Sequence, residues 1–386
     1  MRMKKNNSII YKIPPRIREI IFYINFFKNP KKKIIEIIET KKMYKNFRKS
    51  FGEYENSKEL IYKTLKNIII KKSDGAELAK EFYTDNLEIK KKNKINEKEI
   101  ILVCLVKDDL RRIKEFYKYY TKIGITNFVF IDNNSTDGTF EFLKELKNTT
   151  IFRTLDKYTT IRRQAWISKV MAYYGYNKWF LIVDSDEFLV YNNCENVKIN
   201  KFIEKMEDRK EHRIKSLMID MYADEKFLGK QENDEESIMQ KYCFFDNDTY
   251  YCQKHNCFEA VVGGMRNRVF GKFGNIEPFL IKYPIIFYEK GDIQYNSHFS
   301  YPFYKNFNKE INTALLHYKF LPEDLEKIKE RVKEKNYALG SKEYNAYLKA
   351  YQENENLNLK YNKSQKYNNS SDLEKIKLIS KIDWSK

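Results

Sequence analysis

The 386-residue sequence lacks several features, and each absence narrows what the chain is expected to be. No apolar run approaches the roughly 20 residues that a bilayer-spanning helix needs, so no membrane span is expected. The opening MRMKKNNSIIYKIPPRIREI is basic but has no apolar core ahead of a small-residue cleavage site, so no secretory signal is expected. Cysteine is sparse. Cys104, Cys194, Cys243, Cys252 and Cys257 are odd in number and scattered, which points to a reducing compartment rather than a disulfide framework. Cys243, Cys252, His255 and Cys257 can be drawn as a zinc site, but no paired C-x-x-C favours that over loose thiols. There is no internal repeat. No fingerprint of a nucleic-acid-binding fold appears, nor a short basic block interleaved with aromatics, so no nucleic-acid partner is expected.

What is abundant is basic and aromatic. Lys and Arg number 73 against 54 Asp and Glu, a net charge of +19, and there are 30 Tyr and 27 Phe. Such a charge suits anionic lipid or phosphate-rich substrates. Apolar residues make up 42% of the chain, enough for a real core. Residues 1–95 read as a basic helical region. Within it, Pro14-Pro15 precede an apolar run over 16–27 with basic ends, and 57–70 form a second amphipathic helix. The first of these suits either an anionic membrane surface or packing on the main domain. Lys90 to Lys98 reads as a polar linker, and 96–350 as the main domain. In the 351–386 tail, 354–371 is polar and expected to be mobile, and Leu373 to Trp384 reads as a short basic amphipathic helix.

The main domain turns on WFLIVDSDEFLVY, Trp179 to Tyr191. An unbroken apolar run suits a strand buried on both faces. Three carboxylates, Asp184, Asp186 and Glu187, crowd its C-terminal end. Open α/β sheets bind ligands at that end of their strands, and clustered carboxylates repel unless they hold a cation or share protons. Upstream, IILVCLV runs into Lys107-Asp108-Asp109, and NFVFI ends at Asp132 before NNSTDGT. Helical patterns follow each strand. Ser135, Thr136 and Asp137 are candidate N-caps for the helix through Leu146. Strand and helix alternate four times, which predicts an α/β fold with a parallel βαβ sheet.

These features together resemble the GT-A glycosyltransferases of family 2 and the related family 92-like bacterial enzymes, over roughly residues 99 to 350. The resemblance rests on ILVCLVKDD, then Asp132 with NNSTDGT, RRQAW, the Asp184-Ser185-Asp186 run as a DXD motif, and a late LHYKF. Asn133-Asn134 stands where many members carry D-G. The resemblance implies a GT-A fold, Rossmann-like and mostly parallel, with helical extensions at both ends. It also implies transfer of a sugar from a nucleotide-diphosphate donor to a surface glycan or lipid-linked acceptor, with Mn2+ or Mg2+ as cofactor and an inverting mechanism.

On that resemblance the donor is expected against Val106, Lys107, Asp108, Asp132, Asn134, Arg163, Asp184, Ser185 and Lys319. Metal ligands are expected from Asp184, Asp186, His298 and His317, the last two being half of the chain's four histidines. Glu187 is read as an orienting neighbour. An inverting enzyme needs a carboxylate base, and Glu259 and Asp224 are the candidates. Gly263-Gly264 with Arg266 suggest a close backbone approach to a sugar. A cytoplasmic location, at the inner face of the membrane, completes this reading. The alternatives are a nucleotidyltransferase, although VKDDLRR lacks the Gly-rich phosphate loop, and a non-catalytic adaptor at the membrane surface.

Overall fold

The structure, a computed structural model, describes residues 2–3, 14, 16, 30–50, 75–228, 236–254, 259–307, 309–335 and 338–385. The helix expected over 57–70, and that over 16–27 beyond Arg16, lie outside the described residues, as do His255 and Cys257. Cys243 and Cys252 are buried.

Among the described residues a nine-stranded sheet forms the centre. Its strands are β1 Glu88–Lys91, β2 Ile101–Val106, β3 Asn127–Asp132, β4 Thr149–Arg153 and β5 Lys178–Ile182. β6 Glu187–Tyr191, β7 Arg213–Asp220, β8 Ile281–Tyr288 and β9 Ile311–His317 complete it. The order across the sheet is β1-β4-β3-β2-β5-β8-β7-β9-β6. The run β4-β3-β2-β5 is parallel throughout. Chain order reverses between β2 and β5, so the crevice beyond Val106 and Ile182 is a topological switch point, where α/β sheets hold ligands.

The apolar runs sort themselves by alternation. Leu102, Cys104 and Val106 face α3 (Leu110–Lys122) and α4 (Thr139–Glu145), burying against Phe116, Tyr120 and Leu143. Ile101 and Val103 face α5 (Thr160–Tyr174), burying against Trp166, Ile167 and Val170. Two core faces explain why β2, β3 and β5 are apolar without a break. Helix α5 starts on Thr159, whose hydroxyl accepts from the Arg162 N–H at 3.1 Å, and stops at Gly175 with φ 84°. None of the three expected residues caps α4: its N-cap is Gly138, at φ 91° and without a side-chain cap, while Asp137 accepts from Thr139 N at 2.9 Å and Ser135 from Asp108 N at 3.0 Å.

Both expected extensions are woven into this core. Lys90 and Lys91, read as linker, belong to edge strand β1, which pairs antiparallel with β4. Ahead of it, α1 (Pro30–Ser50) lies on α2 (Gly75–Thr84), and α2 lies on α5 through an Arg162–Glu81 ion pair at 2.9 Å. The stretch 354–371, expected to be mobile, is packed instead: Leu359 is buried and Ser364–Lys366 pairs antiparallel with Phe244–Asp246, and the helix expected over 373–384 runs only from Ser370 to Lys375. A short helix, Ser370–Lys375, carries a capping box made by Asn369 and Asp372. Leu373, Leu378, Ile379 and Ile382 are buried in the main core, and Trp384 Nε1 donates to Asn192 at 2.8 Å. Helix α6 (Ile199–Asp208) buries Phe202, Ile203 and Met206 in the main core, and a third layer comprises α7 (Gly264–Gly274), α8 (Asp324–Glu334) and α9 (Ala338–Glu353), packed around Phe270, Phe320 and Tyr347. No helix among the described residues is long and apolar enough to cross a membrane.

Candidate active site

Strand direction and register gather the polar residues of distant segments at one edge of the sheet. β2, β5, β7 and β9 all end there, and antiparallel β6 and β8 begin there. The register sets His317, at the end of β9, between Asp220 on β7 and Glu187 on β6. Beyond this edge opens a cavity of about 390 Å3.

Asp184 and Asp186, two residues apart in the loop from β5 to β6, meet different partners. Asp184 accepts from Arg163 Nη2 at 2.6 Å and from Lys282 Nζ at 2.9 Å. Lys282 also reaches Glu187, whose other oxygen accepts the Asp184 N–H at 3.2 Å. Burial alone would raise the Asp184 pKa, but Arg163 and Lys282 outweigh it and hold the carboxyl well below the usual range. Asp186 faces His317 Nε2 at 3.3 Å, and His317 Nδ1 lies 2.7 Å from Asp220. A carboxylate only accepts, so that 2.7 Å contact puts the proton on Nδ1 and aims Nε2 at Asp186. Arg266 Nε donates to the other Asp220 oxygen at 2.9 Å. Burial lowers the His317 pKa, yet Asp186 and Asp220 more than offset it, so the imidazole sits above its ordinary value.

The donor set fits a hard or borderline divalent ion. Among the described residues, the ligand atoms of Asp186, Glu187 and His317 all lie within 4.8 Å of one another. With Glu187 engaged by Lys282 and the Asp184 N–H, Asp186 and His317 are the pair left to face an ion. Asp184 and His298 fall outside that group. His298 lines the cavity, but its Nδ1 is 2.7 Å from the Ile281 carbonyl. Burial, aided by Lys282, pushes its pKa down to about 3, so it stays neutral.

Of the expected donor contacts, Val106, Lys107, Arg163, Asp184, Ser185 and Lys319 line the cavity. Asp108, Asp132 and Asn134 do not, because each is consumed by the NNSTDG turn or by Arg153 on β4. Asp108 adopts φ 48° and accepts from Thr136 N at 2.6 Å. Asp132 is fully buried and paired with Arg153 at 3.1 Å, and burial lifts its pKa against the pull of Ser135 and Arg153. Asn134 accepts from Arg153 at 3.2 Å. Its neighbour Asn133 faces the cavity instead and keeps a buried Oδ1 without a hydrogen-bond partner, as Arg163 keeps its Nη1. Orphaned buried polar atoms on a cavity wall mark where a ligand would bond.

Neither base candidate reaches the cavity. Asp224 is exposed and paired with Lys360 at 2.5 Å. Glu259 begins the Glu259–Gly263 strand of an outer three-stranded sheet, opposite Lys254. The close approach at Gly263 is to the chain itself, since a Cβ there would stand 2.1 Å from the Thr249 carbonyl oxygen. That corner starts α7 and carries Arg266 to Asp220. Two site residues, Lys282 and Asp220, have only faint marks in the sequence. Lys282 is a single cation inside the apolar run IKYPIIFY. Asp220 closes the run SLMID just as Asp132 and Asp184 close theirs.

A Rossmann-like sheet with a polar cavity at its switch point defines an α/β enzyme of GT-A-like architecture. The family model described as Glycosyltransferase family 92 matches residues 102–354, and the chain belongs to that family. No curated protein matches the chain. It is therefore a glycosyltransferase, acting between a sugar donor and an acceptor.

Proposed function

We propose that this glycosyltransferase takes its sugar from a nucleotide-diphosphate donor and passes it, with inversion, to a surface glycan or lipid-linked acceptor at the cytoplasmic face of a membrane. Mn2+ or Mg2+ is held by Asp186 and His317. The observation that carries the reading is the Asp186–His317–Asp220 alignment at the switch point. When bound there, the divalent ion neutralises charge on the departing diphosphate. Asp220 keeps His317 in the tautomer that presents Nε2, and Arg266 keeps Asp220 in place. Arg163 and Lys282 pin Asp184, so the loop that carries Asp186 is rigid before substrate arrives.

The charge of the wall supports an anionic donor. Lys107, Arg112, Arg163, Arg266, Lys282, Lys319, Lys327 and Arg331 line the cavity against Asp109, Asp184, Asp186, Glu187, Asp324 and Glu343, eight cations to six carboxylates. Lys319, whose Nζ lies 3.4 Å from the Tyr344 hydroxyl, meets the diphosphate as a point charge. Glu343 replaces Glu259 and Asp224 as the base candidate. Its side chain is 40% exposed, against 32% for Asp184 and 22% for Asp186, which leaves it open to an acceptor hydroxyl.

The test is release of nucleoside diphosphate from a panel of nucleotide sugars, with Mn2+ and with EDTA. Wild type releases nucleotide from at least one donor, and EDTA abolishes it. Asp186→Ala lowers turnover by about 100-fold or more. Absence of release from every donor would sink the donor assignment, and EDTA-insensitive release would sink the metal.

A further inference from the structure

Six large apolar side chains are exposed among the described residues: Ile34, Ile35, Ile38, Ile89, Leu155 and Tyr251. Three of them stand within five residues on α1, at 58%, 57% and 51% exposure. At 3.6 residues per turn, positions 34, 35 and 38 span about 100° of arc and form one outward stripe. Exposed Lys41 and Lys42 continue along the same arc, and Lys32 stands at its margin with exposed Glu39. The opposite face of α1 is already occupied. Lys33 and Thr40 are buried there, and Ile37 and Met43 pack on the cluster of Leu78 and Phe82 in α2. Among the described residues the helix therefore has an inner apolar contact that holds it and a second apolar stripe that stands exposed.

We propose that this outward stripe docks on an anionic membrane surface. Ile34, Ile35 and Ile38 enter the boundary between headgroups and acyl chains, and Lys32, Lys41 and Lys42 sit among the lipid phosphates. The choice of partner follows from the pattern. A protein–protein interface needs about 800 Å2 per partner with charge depleted at its centre. Three isoleucines edged by lysines are too few and too closely flanked by cations for that. A narrow apolar stripe between cations is what an anionic interface attracts, and the +19 chain adds long-range attraction. Through α2 the stripe is braced on α5, whose Thr160 and Arg163 line the cavity, so docking fixes the cavity relative to the bilayer. This deepens the membrane part of the proposed function and does not depend on donor or metal.

The test is flotation of the full chain with vesicles of phosphatidylcholine alone and with one-third phosphatidylglycerol. Wild type floats with the anionic vesicles and stays below with the neutral ones. The Ile34→Ser, Ile35→Ser, Ile38→Ser variant loses at least about tenfold in bound fraction. Lys32→Gln, Lys41→Gln, Lys42→Gln leaves every apolar residue in place and weakens binding by about 100-fold, which keeps the test decisive where the isoleucine variant is unstable. Nucleotide release in solution stays at the wild-type level in the lysine variant. Wild type that fails to float, or variants that float as well as wild type, would overturn the proposal. So would a wild-type dimer that the isoleucine variant converts to monomer without any vesicle binding, since the stripe would then be a self-association face.

Discussion

Arg112 shows how much of the site depends on single buried charges. It reaches from α3 to two carboxylates, Asp109 at 2.9 Å and Asp324 at 3.1 Å, and to the carbonyls of Tyr318 at 2.9 Å and Lys319 at 3.2 Å. It thereby fixes the segment that joins His317 to α8. Burial alone would raise the Asp324 pKa, but Arg112 outweighs it and holds the carboxyl below its ordinary 3.8. A carboxyl depressed in the folded state contributes stability that is present above its unfolded pKa and is lost as pH falls through the folded value. Asp324→Asn is therefore expected to cost roughly 3 kcal/mol at neutral pH, because it leaves a buried guanidinium short of a partner. The gap to wild type should begin to narrow below about pH 4 and go on narrowing as pH falls toward the depressed folded value. Urea midpoints at pH 7 and pH 3 measure both, and a gap that persists undiminished at pH 3 contradicts the assignment.

At the scale of elements, α7 is set by its first corner. Gly263 has φ 106° and abuts the Thr249 carbonyl, while Arg266 and Arg268, two positions apart, grip Asp220 on one side and Asp246 on the other. Gly263→Ala is expected to cost on the order of 2 kcal/mol or more, from positive φ and the clash together. A melting temperature within a degree of wild type would contradict this. The elements themselves were legible because burial on both faces leaves continuous apolar runs, as in ILVCLV and WFLIV. The fate of each strand-end carboxylate was not. Asp132, Asp184 and Asp220 close similar runs, yet Arg153 on β4 captures the first, Arg163 and Lys282 pin the second, and His317 engages the third. Those partners lie on other elements, Arg153, Lys282 and His317 on strands and Arg163 on α5, and the fold rather than proximity in the chain brings them together. The periodicity of a single segment carries no record of them. The tail was misleading for a related reason: the apolar face of Leu373 to Ile382 looks the same whether it meets lipid, solvent or the protein's own core.

For the whole molecule, that tail is structural. Leu373, Leu378, Ile379 and Ile382 are at most 3% exposed. At roughly 1.5–3 kcal/mol for each buried aliphatic side chain, their removal costs about 6–12 kcal/mol, comparable with the entire stability of an ordinary domain. A chain ending at residue 369 is expected to lose its cooperative unfolding transition and to be digested by protease under conditions that spare the full chain. Retention of a wild-type melt by the truncated chain would contradict the packing.

The placement of β9 also bears on biosynthesis. It is the last strand of the large sheet to be translated, yet it lies inside the sheet, between β7 and β6. A nascent chain that has emerged only as far as residue 310 holds Asp186, Glu187 and Asp220 with no imidazole among them and with two strand edges open. Such edges are where incomplete chains pair wrongly. The cavity edge of the sheet therefore closes late, after most of the polypeptide has left the ribosome, and no N-terminal fragment ending before β9 can complete it.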